Sequence, residues 1–224
     1  MRHTLIAAIL LASSSLPALA QEGAAAPAPY FELGVGMDIV PTVSTQTYTL
    51  KAGTNTATGR IDLDYDTGLA GSAELGYAGV GIPELRLGVG YDYLEGKFAS
   101  GLVTGTVNGT SGSLPFSRAD IAALGGSLDN DVHVVTGNAY YSLPMWGGIR
   151  PYFGGGIGAA FIQNAGSNLA LTATAGFRWA LTEQAYLGLR YRFYRVEGPT
   201  DDLGIRYEPI MTHSVMAILG MYMD

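Results

Sequence analysis

The segment from Leu169 to Phe193 alternates with a period of two residues, which restricts the fold more than any other part of the chain. Leu169, Leu171, Ala173, Ala175, Phe177, Trp179 and Leu181 share one face, while Thr172, Thr174, Gly176, Arg178 and Ala180 take the other. After Thr182, Glu183 and Gln184 the alternation resumes, with Leu187, Leu189, Tyr191 and Phe193 opposed to Tyr186, Gly188, Arg190 and Arg192. A helix would place Leu171, Thr174, Ala175 and Arg178 on one stripe and mix charge into any apolar face. The spacing therefore predicts a β-hairpin of two strands, each about ten residues long. Alternation leaves open which face is inside. A soluble barrel buries its apolar face, whereas a transmembrane barrel turns that face to lipid and keeps the arginines in its lumen.

The beginning of the chain favours the second case. Arg2, an apolar run from Leu5 to Ala12 and the small-x-small triplet Ala18-Leu19-Ala20 read as a secretory signal cleaved after Ala20. That run is too short to span a membrane as a helix, and no other window supplies the roughly 18 to 20 apolar residues required, so any span must be a strand. Residues 21–29 form an Ala/Pro-rich tract read as a flexible periplasmic lead, and residues 30–224 as a single barrel domain. With 32 glycines, 14 tyrosines and 14% charged residues, the composition suits strands and turns. The absence of cysteine excludes a disulfide framework, a thiolate metal site and a lipidated N-terminal cysteine. A net charge of −7, becoming −8 once Arg2 leaves with the signal, argues against nucleic acid as a partner.

Taken in order, the chain offers eight strands. Tyr30 to Val40 sets Phe31, Leu33, Val35, Met37 and Ile39 against Glu32, Gly34, Gly36 and Asp38. Pro41 to about Tyr65 reads as a surface loop into which strands can continue outward. Thr67 to Ala78 and Leu85 to Phe98 follow, joined by a short connection containing Pro83, and the Gly/Ser/Thr-rich segment from about Ala99 to Asn130 reads as a second long loop. Asp131 to Leu143, Arg150 to Phe161, the two strands of the opening hairpin and Ile210 to Met223 complete the set. An even strand number with long and short connections in rough alternation predicts an all-β, eight-stranded antiparallel transmembrane β-barrel. Tyr93, Trp146, Trp179, Tyr191 and Phe193 lie near strand ends, where an aromatic girdle sits.

The runs GYDYLEGKF (90–98), VTGNAYYSLP (135–144), RPYFGGGIGAAF (150–161) and HSVMAIL (213–219) resemble the small outer-membrane β-barrel proteins and surface antigens of Gram-negative bacteria, related in fold to the OmpA transmembrane domain. The resemblance spans the mature chain and implies outer-membrane localisation, contact with outer-membrane lipids and lipopolysaccharide, and handling by the barrel-assembly machinery. It implies a role in envelope integrity or surface contact, with no cofactor, and leaves the surface ligand unidentified. Relatives of this kind usually end in an aromatic residue, whereas this sequence ends Met221-Tyr222-Met223-Asp224.

On the face opposite the apolar one, the pattern collects Glu32, Asp38, Glu74, Arg86, Asp92, Arg178, Arg190 and Arg192. These read as an internal ion-pair network filling the lumen, since the planar guanidinium fork can serve several carboxylates. The alternative is a narrow ion path, that is, a small channel. Asp62, Asp64 and Asp66 are a weak candidate for a hard-cation site, because the EF-hand glycine and glutamate are replaced by Thr67 and Ala73. His213 and Ser214 raise a lipid A-modifying enzyme as a further alternative. Adjacent strand residues point to opposite faces, however, so a shared proton is not expected. No metal site, cofactor or catalytic residue is predicted.

Overall fold

The computed structural model describes residues 27–52, 54–163, 165–200 and 205–223. The signal segment, its cleavage position and residues 21–26 of the lead lie outside the described residues. The elements in chain order are β1 (Ala28–Ile39), β2 (Val43–Ser44), β3 (Tyr48–Ala52), β4 (Asn55–Asp66), β5 (Gly68–Ala78), β6 (Leu85–Val107), β7 (Thr110–Ser117), α1 (Arg118–Ala123), β8 (Asn130–Ser142), β9 (Ile149–Ile162), β10 (Gly166–Ala180), β11 (Ala185–Val196) and β12 (Ile210–Tyr222). The first strand thus starts inside the Ala/Pro tract, two residues before Tyr30.

Eight of these strands close a ring. β1 pairs with β5, β5 with β6, β6 with β8, and β8 to β12 pair in succession until β12 returns to β1, all antiparallel. Closure leaves the ring without an edge strand. Its exterior is the apolar face: Val35, Leu75, Ile157, Phe177 and Leu189 are all exposed, Val35 by 67%. The opposite phase of the same strands is buried and carries the charges. Apolar outside and polar inside is the arrangement of a barrel solvated by lipid.

The two ends of the ring differ. At one end, where β1 begins and β12 finishes, the connections 79–84, 143–148 and 181–184 are short. At the far end the second long loop expected at 99–130 is mostly ordered β-structure. β6 runs for 23 residues, against the roughly 9 to 11 a tilted membrane strand needs. Its distal half pairs with β4 and β7, and β4 in turn pairs with β2 and β3. Strands also continue through 41–65, as that segment's reading allowed.

Two local signals account for the correction. Asn108 and Gly109 both have positive φ, 51° and 86°, and so make the tight turn whose twist matches a hairpin. Ser117 then caps α1 in a reciprocal box, with the Asp120 carboxylate accepting from the Ser117 backbone N–H at 2.8 Å. The projecting sheet has its own small core of Val43, Leu63 and Phe98, with Phe116 stacked on Phe98 at 5.7 Å. Burial at its base, rather than pairing alone, holds it on the barrel.

Candidate functional site

Six of the eight charged residues expected in the lumen meet in one cluster. Arg190 Nη1 donates to Glu32 Oε1 at 2.6 Å, and Arg86 Nη2 reaches Glu32 Oε2 at 3.3 Å. Arg192 Nη1 donates to Asp92 Oδ2 at 2.6 Å, while its Nη2 bonds Tyr140 and reaches Glu74 Oε2 at 3.4 Å. Glu74 is the hub, accepting from Tyr30 Oη and Tyr140 Oη at 2.6 Å each and from Asn138 Nδ2 at 3.1 Å. None of these six side chains is more than 2% exposed. Every carboxylate here faces a guanidinium, which offsets the cost of removing both from water.

The tyrosines are the part of this cluster that sequence reasoning passed over. Tyr30, Tyr140, Tyr186 and Tyr194 sit in the lumen phase of their strands, and period-two spacing places them there. Glycine on neighbouring strands makes room for such rings. A Cβ at Gly176 would stand 2.7 Å from the Tyr152 ring, so no larger residue fits without displacing it.

Asp38 and Arg178, placed in the network by the sequence, lie at opposite ends outside it. Arg178, toward the short-turn end, stacks on Tyr152 at 4.3 Å and has its polar contacts with Ser142 and Tyr222. Asp38, toward the far end, accepts from Thr212 Oγ1 at 2.7 Å. Among the described residues no basic group forms an ion pair with Asp38. The tilt of the strands separates residues that the same alternation puts on one face.

Above Asp38 and Thr212 the lumen opens into a cavity of about 410 Å³. Its walls are apolar, formed by Val40, Val43, Leu63, Leu94, Val132 and Ile162, and the projecting sheet supplies part of them. Its charged groups are both carboxylates, Asp38 and Asp129; hydroxyl and amide side chains of Ser127, Asn130, Gln163 and Thr212 also line it, and Asn130 Oδ1 is buried with no hydrogen-bond partner. Tyr65 also lines it. Burial, reinforced by Tyr207 and the negative charge of Asp129, pushes the Tyr65 phenol up to about 12 and keeps it neutral.

The remaining candidates separate. Asp62 accepts from Ser44 Oγ at 2.6 Å and Arg60 Nε at 2.8 Å, Asp64 from Thr42 Oγ1 at 2.6 Å, and Asp66 from Arg118 Nη2 at 3.3 Å. Among the described residues no group of three such side chains is placed to hold a metal ion. Ser214 is fully buried in the lumen, whereas His213 faces outward and its Nδ1 lies 2.7 Å from Tyr191 Oη. His133 and Tyr91 form the same pair at 2.7 Å. Of the girdle candidates, Trp179 and Tyr191 are exposed on the exterior, Trp146 is exposed in a short turn, and Tyr93 and Phe193 pack against His133 and His213.

No family model and no curated protein matches the chain. Among solved structures it is similar to the Neisserial surface protein A, NspA, with a TM-score of 0.54 at 13% identity, over 87% of this chain and 97% of that one. The chain has the fold of a small outer-membrane β-barrel. It is also similar to the outer membrane protein AlkL (TM-score 0.41, 14% identity, 86% of this chain and 90% of that one). For the outer membrane protease OmpT from Escherichia coli the values are 0.41, 10%, 88% and 97%. At these identities the likeness concerns architecture alone.

Proposed function

We propose that this chain is an outer-membrane protein with a sealed lumen, serving a structural or surface-interaction role through its far end and performing no catalysis. The short-turn end faces the periplasm, the apolar exterior contacts outer-membrane lipids, and the projecting sheet and the cavity at its base face outward. The observation that carries this reading is the plug: Glu32, Glu74, Arg86, Asp92, Arg190 and Arg192 are bonded to one another across the ring and are buried. An eight-stranded interior is only wide enough to be filled by side chains, and here those side chains are tied down by ion pairs. The opposite directions of His213 and Ser214 support the non-catalytic part, because the pair cannot pass a proton.

Planar-bilayer recording of the purified barrel tests the seal. No steady conductance is expected, and a steady single-channel conductance would overturn the reading in favour of a channel. Mass spectrometry of lipid A from cells with and without the gene tests the rest. Identical profiles are expected; a lost acyl chain or an added group would establish a lipid A-modifying enzyme.

A further inference from the structure

We propose that the cavity at the outward end of the barrel is a binding site for a small cationic amphiphile, an apolar molecule ending in a protonated amine. The inference rests on the sealed-lumen reading, which makes the cavity a closed-bottomed pocket instead of the vestibule of a pore.

Three observations lead to this ligand class. The volume of about 410 Å³ lies within the range that accommodates a small organic ligand, roughly 300 to 1,000 Å³. The walls are dominated by branched aliphatic side chains, so the part of the ligand that is buried must be apolar. The charged groups that remain are both carboxylates. Asp38 is 1% exposed, lies at the cavity's inner end and has no cationic partner among the described residues, unlike Glu32, Glu74 and Asp92. Asn130 Oδ1 is a buried acceptor without a partner, and Asp129, exposed at the rim and accepting from the Phe98 backbone N–H at 2.9 Å, adds a second carboxylate. No Lys, Arg or His lines the cavity among the described residues, so nothing there complements an anionic head. A buried carboxylate without its counter-charge is costly, and a ligand ammonium supplies that charge together with the missing hydrogen-bond donors.

The test compares octylamine, octanol and octanoate, three probes with similar apolar bodies and different heads. Each is added to the full-length mature protein in nanodiscs of zwitterionic lipid, and the methyl resonances of Leu63, Val132 and Ile162 are followed by NMR. Saturable shifts are expected with octylamine at the lowest concentration, with octanol at higher concentration, and not with octanoate. Asp38→Asn should weaken octylamine at least about tenfold, to the level of octanol, while leaving octanol unchanged. Val132→Phe, which fills the cavity, should abolish the response to all three. The ranking of the probes on the unaltered protein tests the proposal even if a variant fails to fold. Absence of any saturable shift, octanoate binding as well as octylamine, or an amine preference that survives Asp38→Asn would each overturn it. Conductance and probe ranking are separate readouts: a conducting barrel overturns the seal, and a flat ranking overturns the site.

Discussion

In the lumen, Arg190 and Glu32 meet at 2.6 Å with side chains 1% and 2% exposed; in the projecting sheet, Arg60 and Asp62 meet at 2.8 Å with side chains 43% and 28% exposed. The bond lengths are nearly the same and the consequences differ. Inside the ring, an unpaired charge would face a low-dielectric interior, so Glu32 and Glu74 are each held by several donors and Asp92 by the Arg192 guanidinium. On the sheet, water solvates whatever the partner does not, and the pair adds little. The same alternation also serves two solvents. Along the barrel the apolar phase faces lipid, while in the sheet Leu63, Phe98 and Phe116 turn inward to a small core and leave Thr, Ser and Asp at the surface.

The largest expected effect is on the hub of the plug. Glu74→Ala removes the acceptor shared by Tyr30, Tyr140, Asn138 and Arg192, and should cost about 3–5 kcal/mol in urea unfolding from lipid vesicles. The equivalent truncation in the sheet, Arg60→Ala, should leave the unfolding midpoint essentially unchanged. Equal losses would break the distinction between the two regions.

A leucine-to-arginine change carries the comparison to the outer surfaces. Leu189, exposed on the barrel, should lose about 2–4 kcal/mol as Leu189→Arg, because the charge enters hydrocarbon. Leu114, 66% exposed on β7, should tolerate Leu114→Arg within about 0.5 kcal/mol. If Leu114→Arg were as damaging in the same vesicle refolding assay, the sheet would have to be embedded and the proposed boundary would move.

The smallest effect is electrostatic and confined to the sheet. The Ser44 hydroxyl, and then the Arg60 guanidinium, hold the Asp62 carboxyl below its ordinary value near about 3.9. A carboxyl lowered on folding adds stability above its ordinary value, and that contribution is lost as pH falls through the lower folded value. Ser44→Ala should raise the midpoint of the Asp62 carboxyl resonance in an NMR titration below about pH 4. A midpoint left where it was would show that the hydroxyl does not hold the carboxylate.

The strand pattern carried most of the barrel, because a period of two assigns every residue of a strand to one of two faces whatever the rest of the chain does. The alternation from Leu169 to Trp179 and from Leu187 to Phe193 was enough to separate lipid-facing leucines from lumen arginines, and the same rule placed Glu32, Glu74, Arg86 and Asp92. The sheet at 99–117 was less visible, since Gly, Ser and Thr blur the alternation, although Asn108-Gly109 and the Ser117–Asp120 cap were local signals for a hairpin and a short helix.

What the sequence determined by itself was thus the face of each residue, a local property fixed by backbone geometry. Which lumen residues touch was decided by the closed ring alone, because the strand register and tilt set the height of each side chain along the barrel axis. That is why Glu74 became a hub for groups 44 to 118 residues away, why Asp38 was left without a counter-charge, and why an apolar cavity formed above it from segments far apart in the chain.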